Sequence, residues 1–257
     1  MSFGMADAFG LTGYPLGHSF SKDFFGRLFA EDGSGRTYSN FPIEKLDKAA
    51  FDALLAVNPE LVGLNVTAPH KVAVMAFLDE LDPLAEAVGA VNTVKIFRDR
   101  EGNVLRTKGF NTDVLGFEEA VRPLLRLSHT HALVLGTGGA SKAAVVACRR
   151  LGMLPTTVSR TAGKGDLTYD ELTPEVMAAN LLIVNATPLG TFPNTHSCAP
   201  IPYELLGPDH LCFDMVYNPH ETLFMRKSAD RGAAVANGLE MLHGQAMAAL
   251  TIWETAT

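Results

Sequence analysis

The most constraining feature of this chain is the strand-like apolar run HALVLGT at 131–137, whose end opens into the glycine loop GTGGAS at 136–141. An unbroken apolar run of that length suits a strand buried on both faces, in the middle of a parallel sheet. The alanine-rich stretch beyond it, to about residue 151, reads as a helix. A glycine loop between such a strand and such a helix lets the backbone turn sharply and approach a pyrophosphate. The helix start then offers N–H groups and the positive end of its dipole. Gly136, Gly138, Gly139 and Ala140 are therefore candidate dinucleotide contacts. The rival reading is an ordinary strand-to-helix turn. The strand before and the helix after favour the dinucleotide loop.

The following strand, PTTVS, ends in Ser159-Arg160-Thr161, with Lys164 close behind. A site for the unphosphorylated dinucleotide usually places an acidic residue near that point, against the ribose 2′-hydroxyl. That turn instead carries hydroxyls, a guanidinium and an ammonium, which suit a 2′-phosphate. Ser159, Arg160, Thr161 and Lys164 thus point to NADP rather than NAD. The alternative is that Arg160 and Lys164 are solvated loop cations.

The chain has 257 residues, which at roughly 100–200 residues per domain suggests one large or two small domains. Hydrophobic residues make up 47%, enough for a real core and too many for a disordered chain. The net charge is −7 and no basic run occurs, which argues against a nucleic-acid surface. Cys148, Cys198 and Cys212 are sparse and odd in number. They read as free thiols of a reducing compartment, so a cytoplasmic protein is expected. No cysteine or histidine cluster suggests a metal. The apolar runs fall far short of the roughly 20 residues of a membrane span, and the N-terminus has neither a basic region nor a long apolar stretch.

Short strands alternate with amphipathic helices nearly throughout, which predicts an α/β fold built on parallel sheet. Strands are expected at 9–15, 37–43 and 61–67, and helices at about 21–29, 46–57 and 69–81. DREGN, at 99–103, is a hairpin turn between two further strands. Next come a helix near 113–125, the glycine-loop unit, the strands PTTVS, LLIVNAT and LCFDMVY, a closing strand AAVANG and a final helix over about 239–254.

Two charged residues stand at expected helix starts. Lys71 follows Thr67, which can cap, and Pro69, which suits a first turn. It shares a predicted helical face with Met75 and Leu78. Burial and the helix dipole would both lower a lysine pKa there, towards a value useful for proton transfer. A lysine that snorkels to solvent is the alternative. Asp113 lies in the first turn of the next helix, where an anion is favourable in any case.

Several segments together are similar to the shikimate dehydrogenase family. They are GYPLGHSFS at 13–21, GLNVTAPHK at 63–71, GAVNT at 89–93 and GFNTD at 109–113, then the glycine loop and SRT at 159–161. VNAT at 184–187, DMVYNP at 214–219 and NGLEML at 237–242 complete the series. They occur in the family's order and span nearly the whole chain. The NVTxPxK and NTDxxG pieces are specific; the glycine loop alone would not be.

The resemblance implies reversible NADP-dependent oxidation of the shikimate C3 hydroxyl to 3-dehydroshikimate, a step of chorismate and aromatic amino acid biosynthesis. It implies Lys71 as general acid/base and Asp113 as its catalytic partner. Ser19 and Ser21 would grip the substrate carboxylate, with Tyr217 nearby. Asn65, Thr67, Asn92 and Gln245 would hydrogen-bond the substrate hydroxyls. Met215 and Gly238 would lie around the nicotinamide, and Asn185, Ala186 and Thr187 along the dinucleotide. The implied architecture is two α/β domains with a cleft between them. Residues 1–112 with 238–257 would bind substrate, and 113–237 would form the Rossmann-like NADP domain. A small-molecule substrate is the expected partner, without nucleic acid or membrane, for a monomer or homodimer.

The chain departs from the family pattern at Lys22, where proline is common, at Thr137 within the glycine loop, and at Ser159, where asparagine is usual. None of these removes a catalytic group. Three other readings stay open: a quinate/shikimate enzyme using NAD, a noncatalytic shikimate-binding regulator, and an unrelated oxidoreductase sharing only the cofactor loop. Retention of Lys71 and Asp113 weighs against the regulator, and the upstream segments weigh against the unrelated enzyme.

Overall fold

The computed structural model describes residues 7–17 and 20–255. The chain divides into two compact units. One runs to Thr112 and resumes at Ala248; the other is Asp113–Met247.

The first unit contains β1 (Ala8–Gly13), α1 (Phe20–Glu31), β2 (Thr37–Pro42), α2 (Lys48–Val57), β3 (Leu61–Val66), β4 (Glu80–Leu81), α3 (Pro83–Val88), β5 (Thr93–Arg98) and β6 (Val104–Phe110). Its sheet order is β2-β1-β3-β5-β6-β4. The β1 strand is buried along its whole length, because β2 and β3 flank it in parallel. One set of core side chains joins Leu54 and Leu55 of α2 to Leu61, Leu64, Val66, Val94 and Ile96. An aromatic set joins Phe9, Phe25, Phe29, Tyr38 and Trp253. Gly63 has no room for a side chain, since the Trp253 ring would lie 2.6 Å from its Cβ. The indole N–H donates to the Val94 carbonyl at 3.0 Å.

The DREGN turn forms as expected. Asp99 accepts the N–H groups of Glu101 and Asn103 at 3.0 and 2.8 Å, and Gly102 takes φ +85°. The hairpin makes β5 antiparallel to both β3 and β6, so this sheet is mixed rather than wholly parallel.

The expected helix over 69–81 does not form. That segment is a run of turns with a short 3-10 helix at Ala73–Phe77, followed by β4. The cause is tertiary. The Lys71 carbonyl, which an α-helix would pair with the N–H of Met75, accepts the Val91 N–H at 2.8 Å instead. Met75 N–H turns to the Val72 carbonyl. Thr67 therefore caps no α-helix, and Lys71 does not sit in the first turn of one. The proposed shared helical face of Lys71, Met75 and Leu78 is lost with it.

The second unit contains α4 (Thr112–Val121, whose first residue belongs to the other unit), β7 (His131–Leu135), α5 (Gly139–Arg150), β8 (Leu154–Ser159), β9 (Leu167–Thr168), α6 (Pro174–Ala179), β10 (Leu182–Asn185), β11 (Leu211–Asp214), α7 (Leu223–Ala229) and β12 (Ala234–Ala236). Its sheet is parallel throughout, in the order β12-β11-β10-β7-β8-β9. β7 is internal, and its apolar residues from Ala132 to Leu135 are all buried. From β7 the chain builds outward to β8 and β9, then returns to lay β10, β11 and β12 on the other side. The strand order thus reverses between β7 and β10, where open α/β sheets bind ligands at the carboxyl ends of their strands.

The last helix, α8 (Leu239–Glu254), is divided between the units after Met247. Its first part packs on α4 at Gly116, where an added Cβ would lie 2.4 Å from the Met241 carbonyl oxygen. No helix among the described residues is long and apolar enough to cross a membrane.

Candidate functional site

In the second unit, the predicted cofactor residues gather at the reversal point. Leu135 pairs with Asn185, and Ala186 N–H donates to the Leu135 carbonyl at 3.0 Å. This sets the glycine loop beside the Asn185–Thr187 loop. Gly136 takes φ +109° and lies so close to Ala186 and Thr187 that a Cβ would be 3.2 Å from each. Ser141, buried in the first turn of α5, donates to the Gly136 carbonyl at 2.6 Å and fixes the loop.

Gly138 is the N-cap of α5, and no side chain caps that end. A Cβ on Gly138 or Gly139 would meet nothing within 4 Å. Packing within the protein therefore does not require these glycines; they leave open space before a helix start, as a pyrophosphate needs. Ala140 is exposed on the same turn.

On the β11 side, Met215 N–H donates to the Asn185 carbonyl at 3.0 Å. Gly238 packs directly on Met215, whose carbonyl oxygen a Cβ would approach to 2.2 Å. Asp214 ties these loops together. It is fully buried and accepts from Asn185 Nδ2 at 2.9 Å, the Val216 N–H at 3.0 Å and Thr222 Oγ1 at 2.5 Å. Burial pushes its carboxyl up to about 6, against the pull of those donors. Asn185 Oδ1 in turn accepts from the Thr187 N–H and hydroxyl at 3.2 and 2.6 Å. At the end of β8, Ser159 is buried and accepts the Thr161 N–H at 3.1 Å, while Arg160 and Lys164 are exposed.

In the first unit, predicted substrate residues join one buried polar chain. Tyr38 donates to Asn65 Oδ1 at 2.7 Å, and Ser21 lies near enough to pull its phenol down against burial. Burial pushes the Tyr38 phenol far above its ordinary range, so it stays a neutral donor. Asn65 Nδ2 donates to Thr93 Oγ1 at 3.2 Å, and Thr93 donates to Asn92 Oδ1 at 3.1 Å. Asn92 Oδ1 also accepts the Thr112 N–H at 2.7 Å. Ser21, Asn65 and Asn92 are thus brought together, through Tyr38, Thr93 and Thr112.

Ser21 is the second residue of α1, so it sits within the first turn rather than capping it. Thr67 is half-buried beside Gly13, and its methyl fills the place of a Gly13 side chain. Lys71 is half-buried in the turn after β3. Ser19 lies outside the described residues. In the second unit, Asp113 is buried in the first turn of α4. Gln245 is half-buried on α8 and donates to the Leu242 carbonyl at 2.9 Å. Tyr217 is exposed.

Tyr38, Thr93, Thr112, Ser141 and Asp214, which hydrogen-bond the nominated residues, are not among those the sequence nominates. Thr93, Thr112, Ser141 and Asp214 lie inside the GAVNT, GFNTD, GTGGAS and DMVYNP segments, whereas Tyr38 carried no such signal.

Residues 11–94 match the model of the shikimate dehydrogenase substrate binding domain. The shikimate dehydrogenase (NADP(+)) of Desulforamulus reducens is 33% identical, over 97% of this chain and 90% of that protein. The chain belongs to the shikimate dehydrogenase family. A Thermus thermophilus shikimate 5-dehydrogenase, solved in complex with NADP(H) and shikimate, is 31% identical with a TM-score of 0.82. The match covers 96% of this chain and 93% of that one. The quinate dehydrogenase of Corynebacterium glutamicum, solved with NAD, is 26% identical with a TM-score of 0.84, over 97% and 94% of the two chains. The family's two-part organisation, a substrate-binding part and a Rossmann-like part, accords with the mixed and the all-parallel sheets.

Proposed function

We propose that this protein is an NADP-dependent shikimate dehydrogenase, which oxidises shikimate reversibly to 3-dehydroshikimate in the cytoplasm. The observation that carries the reading is near full-length identity above 30% to a named NADP-dependent shikimate dehydrogenase, in a chain that keeps both Lys71 and Asp113. When bound, the nicotinamide accepts hydride from the substrate carbon or returns it.

The chain's own residues supply binding and proton transfer. Lys71 takes the hydroxyl proton as the alcohol is oxidised and returns it to the ketone in the reverse direction. Asp113 is the second member of the catalytic pair. Ser19 and Ser21 bind the carboxylate, with Tyr217. Asn65, Thr67, Asn92 and Gln245 bind the ring hydroxyls. A site that hydrogen-bonds several hydroxyls rejects analogues lacking them, because its buried polar groups are then left unpaired.

Gly136, Gly138, Gly139 and Ala140 meet the pyrophosphate. Asn185, Ala186 and Thr187 follow the dinucleotide, and Met215 and Gly238 border the nicotinamide. Ser159, Arg160, Thr161 and Lys164 meet the 2′-phosphate. The side chains at that turn favour NADP, whereas the quinate dehydrogenase of similar fold was solved with NAD. We assign the substrate-binding role to residues 1–112 with 238–257, and the NADP-binding role to 113–237.

The test is Lys71→Ala. Turnover should fall by about a thousandfold, within the usual range for loss of a general acid/base, while NADP affinity measured by fluorescence stays within about twofold. Loss of NADP binding along with turnover would take the proton-transfer role away from Lys71.

A further inference from the structure

The loop that carries Arg160 and Lys164 is closed on itself. β8 ends at Ser159, and the chain returns beside it as β9, with Val158 opposite Leu167 and Ser159 opposite Thr168. At the mouth of the loop, Asp166 and Thr157 hold each other in both directions. Asp166 Oδ2 accepts the Thr157 N–H at 2.8 Å and its hydroxyl at 2.7 Å. The Asp166 N–H donates back to Thr157 Oγ1 at 3.0 Å.

Within the loop, Lys164 N–H reaches the Thr161 carbonyl at 3.2 Å and Gly163 takes φ +76°. Gly165 lies flat on the strand, where a Cβ would be 3.1 Å from both the Ser159 Cβ and the Thr157 carbonyl oxygen. Beyond β9 the chain leads straight to Tyr169, and the Arg160 charge is near enough to lower the Tyr169 phenol against the upward push of burial. The return strand thus runs beside Ser159 and leads on to a residue within range of the Arg160 charge.

We propose that Asp166 and Thr157 are a positioning pair that sets the preference for a 2′-phosphorylated dinucleotide, by holding Arg160 and Lys164 in a presented loop. This rests on the assignment of Arg160 and Lys164 to the 2′-phosphate. An acid close to this strand end would otherwise suit a ribose 2′-hydroxyl. Here its Oδ2 is committed to Thr157. Those hydrogen bonds, and the charge of Arg149 beyond them, hold the Asp166 carboxyl below its usual range. The pair touches no cofactor itself; it fixes the backbone from which two exposed cations project, so less of their freedom is lost on binding.

The experiment compares kcat/KM for NADP with kcat/KM for NAD, using shikimate, in the full chain and four variants. Arg160→Ala should lower the NADP/NAD ratio by about tenfold or more, the scale of a lost charge-assisted contact. Asp166→Ala and Thr157→Val should each lower it by roughly threefold to tenfold, through the KM for NADP rather than through kcat. Asp166→Asn keeps an acceptor oxygen for Thr157 and should stay within about twofold of the parent. If Asp166→Ala and Asp166→Asn both raise the ratio, the carboxylate acts only as a repelling charge and the proposal is wrong. It is equally wrong if Arg160→Ala lowers the ratio and neither Asp166→Ala nor Thr157→Val does. An Arg160→Ala enzyme with an unchanged ratio removes the 2′-phosphate assignment itself, and the positioning role with it.

Discussion

Asp214 shows how much can hang on one side chain. Its carboxylate is the common acceptor for Asn185, Val216 and Thr222, and Thr222 is also the N-cap of α7. Its carboxyl titrates at about 6 because burial disfavours the charge, against an ordinary 3.8. The folded state therefore holds this proton more tightly than the unfolded chain does. The resulting stability is fully present below about pH 4 and is lost as pH rises through about 6. Asp214→Asn removes that dependence while keeping an acceptor for two of the three donors. The unfolding free energy of the parent minus that of the variant, from urea melts, should fall by about 3 kcal/mol between about pH 4 and pH 7.5. A level difference would show that the carboxyl is not held above its usual range. Among single residues, the sequence nominates those that belong to segments with specific spacing, such as Lys71 and Asp113, and their roles remain proposals. It misses residues whose value lies in a partner met across the sheet. Tyr38 and Asn65 are 27 positions apart, and only the pairing of β2 and β3 on either side of β1 brings them together.

Elements were legible where local pattern and tertiary environment agree. The strand–glycine–helix unit is one case, with β7 ending at Leu135 and α5 starting at Gly139. The β5–β6 hairpin is another, because its turn chemistry is local. The segment 69–81 failed because the Lys71 carbonyl is claimed by Val91, a contact that no periodicity reports. The short elements β4, β9, α3 and α6 were not anticipated, since two to six residues give no period to read. Helix contacts that depend on a missing side chain can be tested directly. Gly116 of α4 lies against the backbone of α8 at Met241 and Gln245, so Gly116→Ala must push the helices apart. It should cost about 1–3 kcal/mol and lower the thermal midpoint by several degrees. An unchanged midpoint would mean that the α4–α8 contact is looser than these distances imply.

At the scale of the whole molecule, the two units carry different kinds of information. The second is an all-parallel sheet whose strand order reverses next to the glycine loop; the strand–glycine–helix pattern was legible in the sequence, while the reversal of strand order was not. The first is a mixed sheet with a buried string of hydroxyls and amides. Its chemistry was legible only through resemblance, because asparagine, threonine and serine at strand ends serve turns and caps as readily as ligands. The proposed enzyme takes one substrate and one cofactor, and turnover followed at the reduced-nicotinamide absorbance band reads both choices at once. Shikimate and quinate are each offered with NADP and with NAD. Fast reduction with shikimate and NADP, and slow or no reduction in the other three combinations, is the predicted result. Turnover that is faster with quinate or with NAD would contradict it, as would silence in all four.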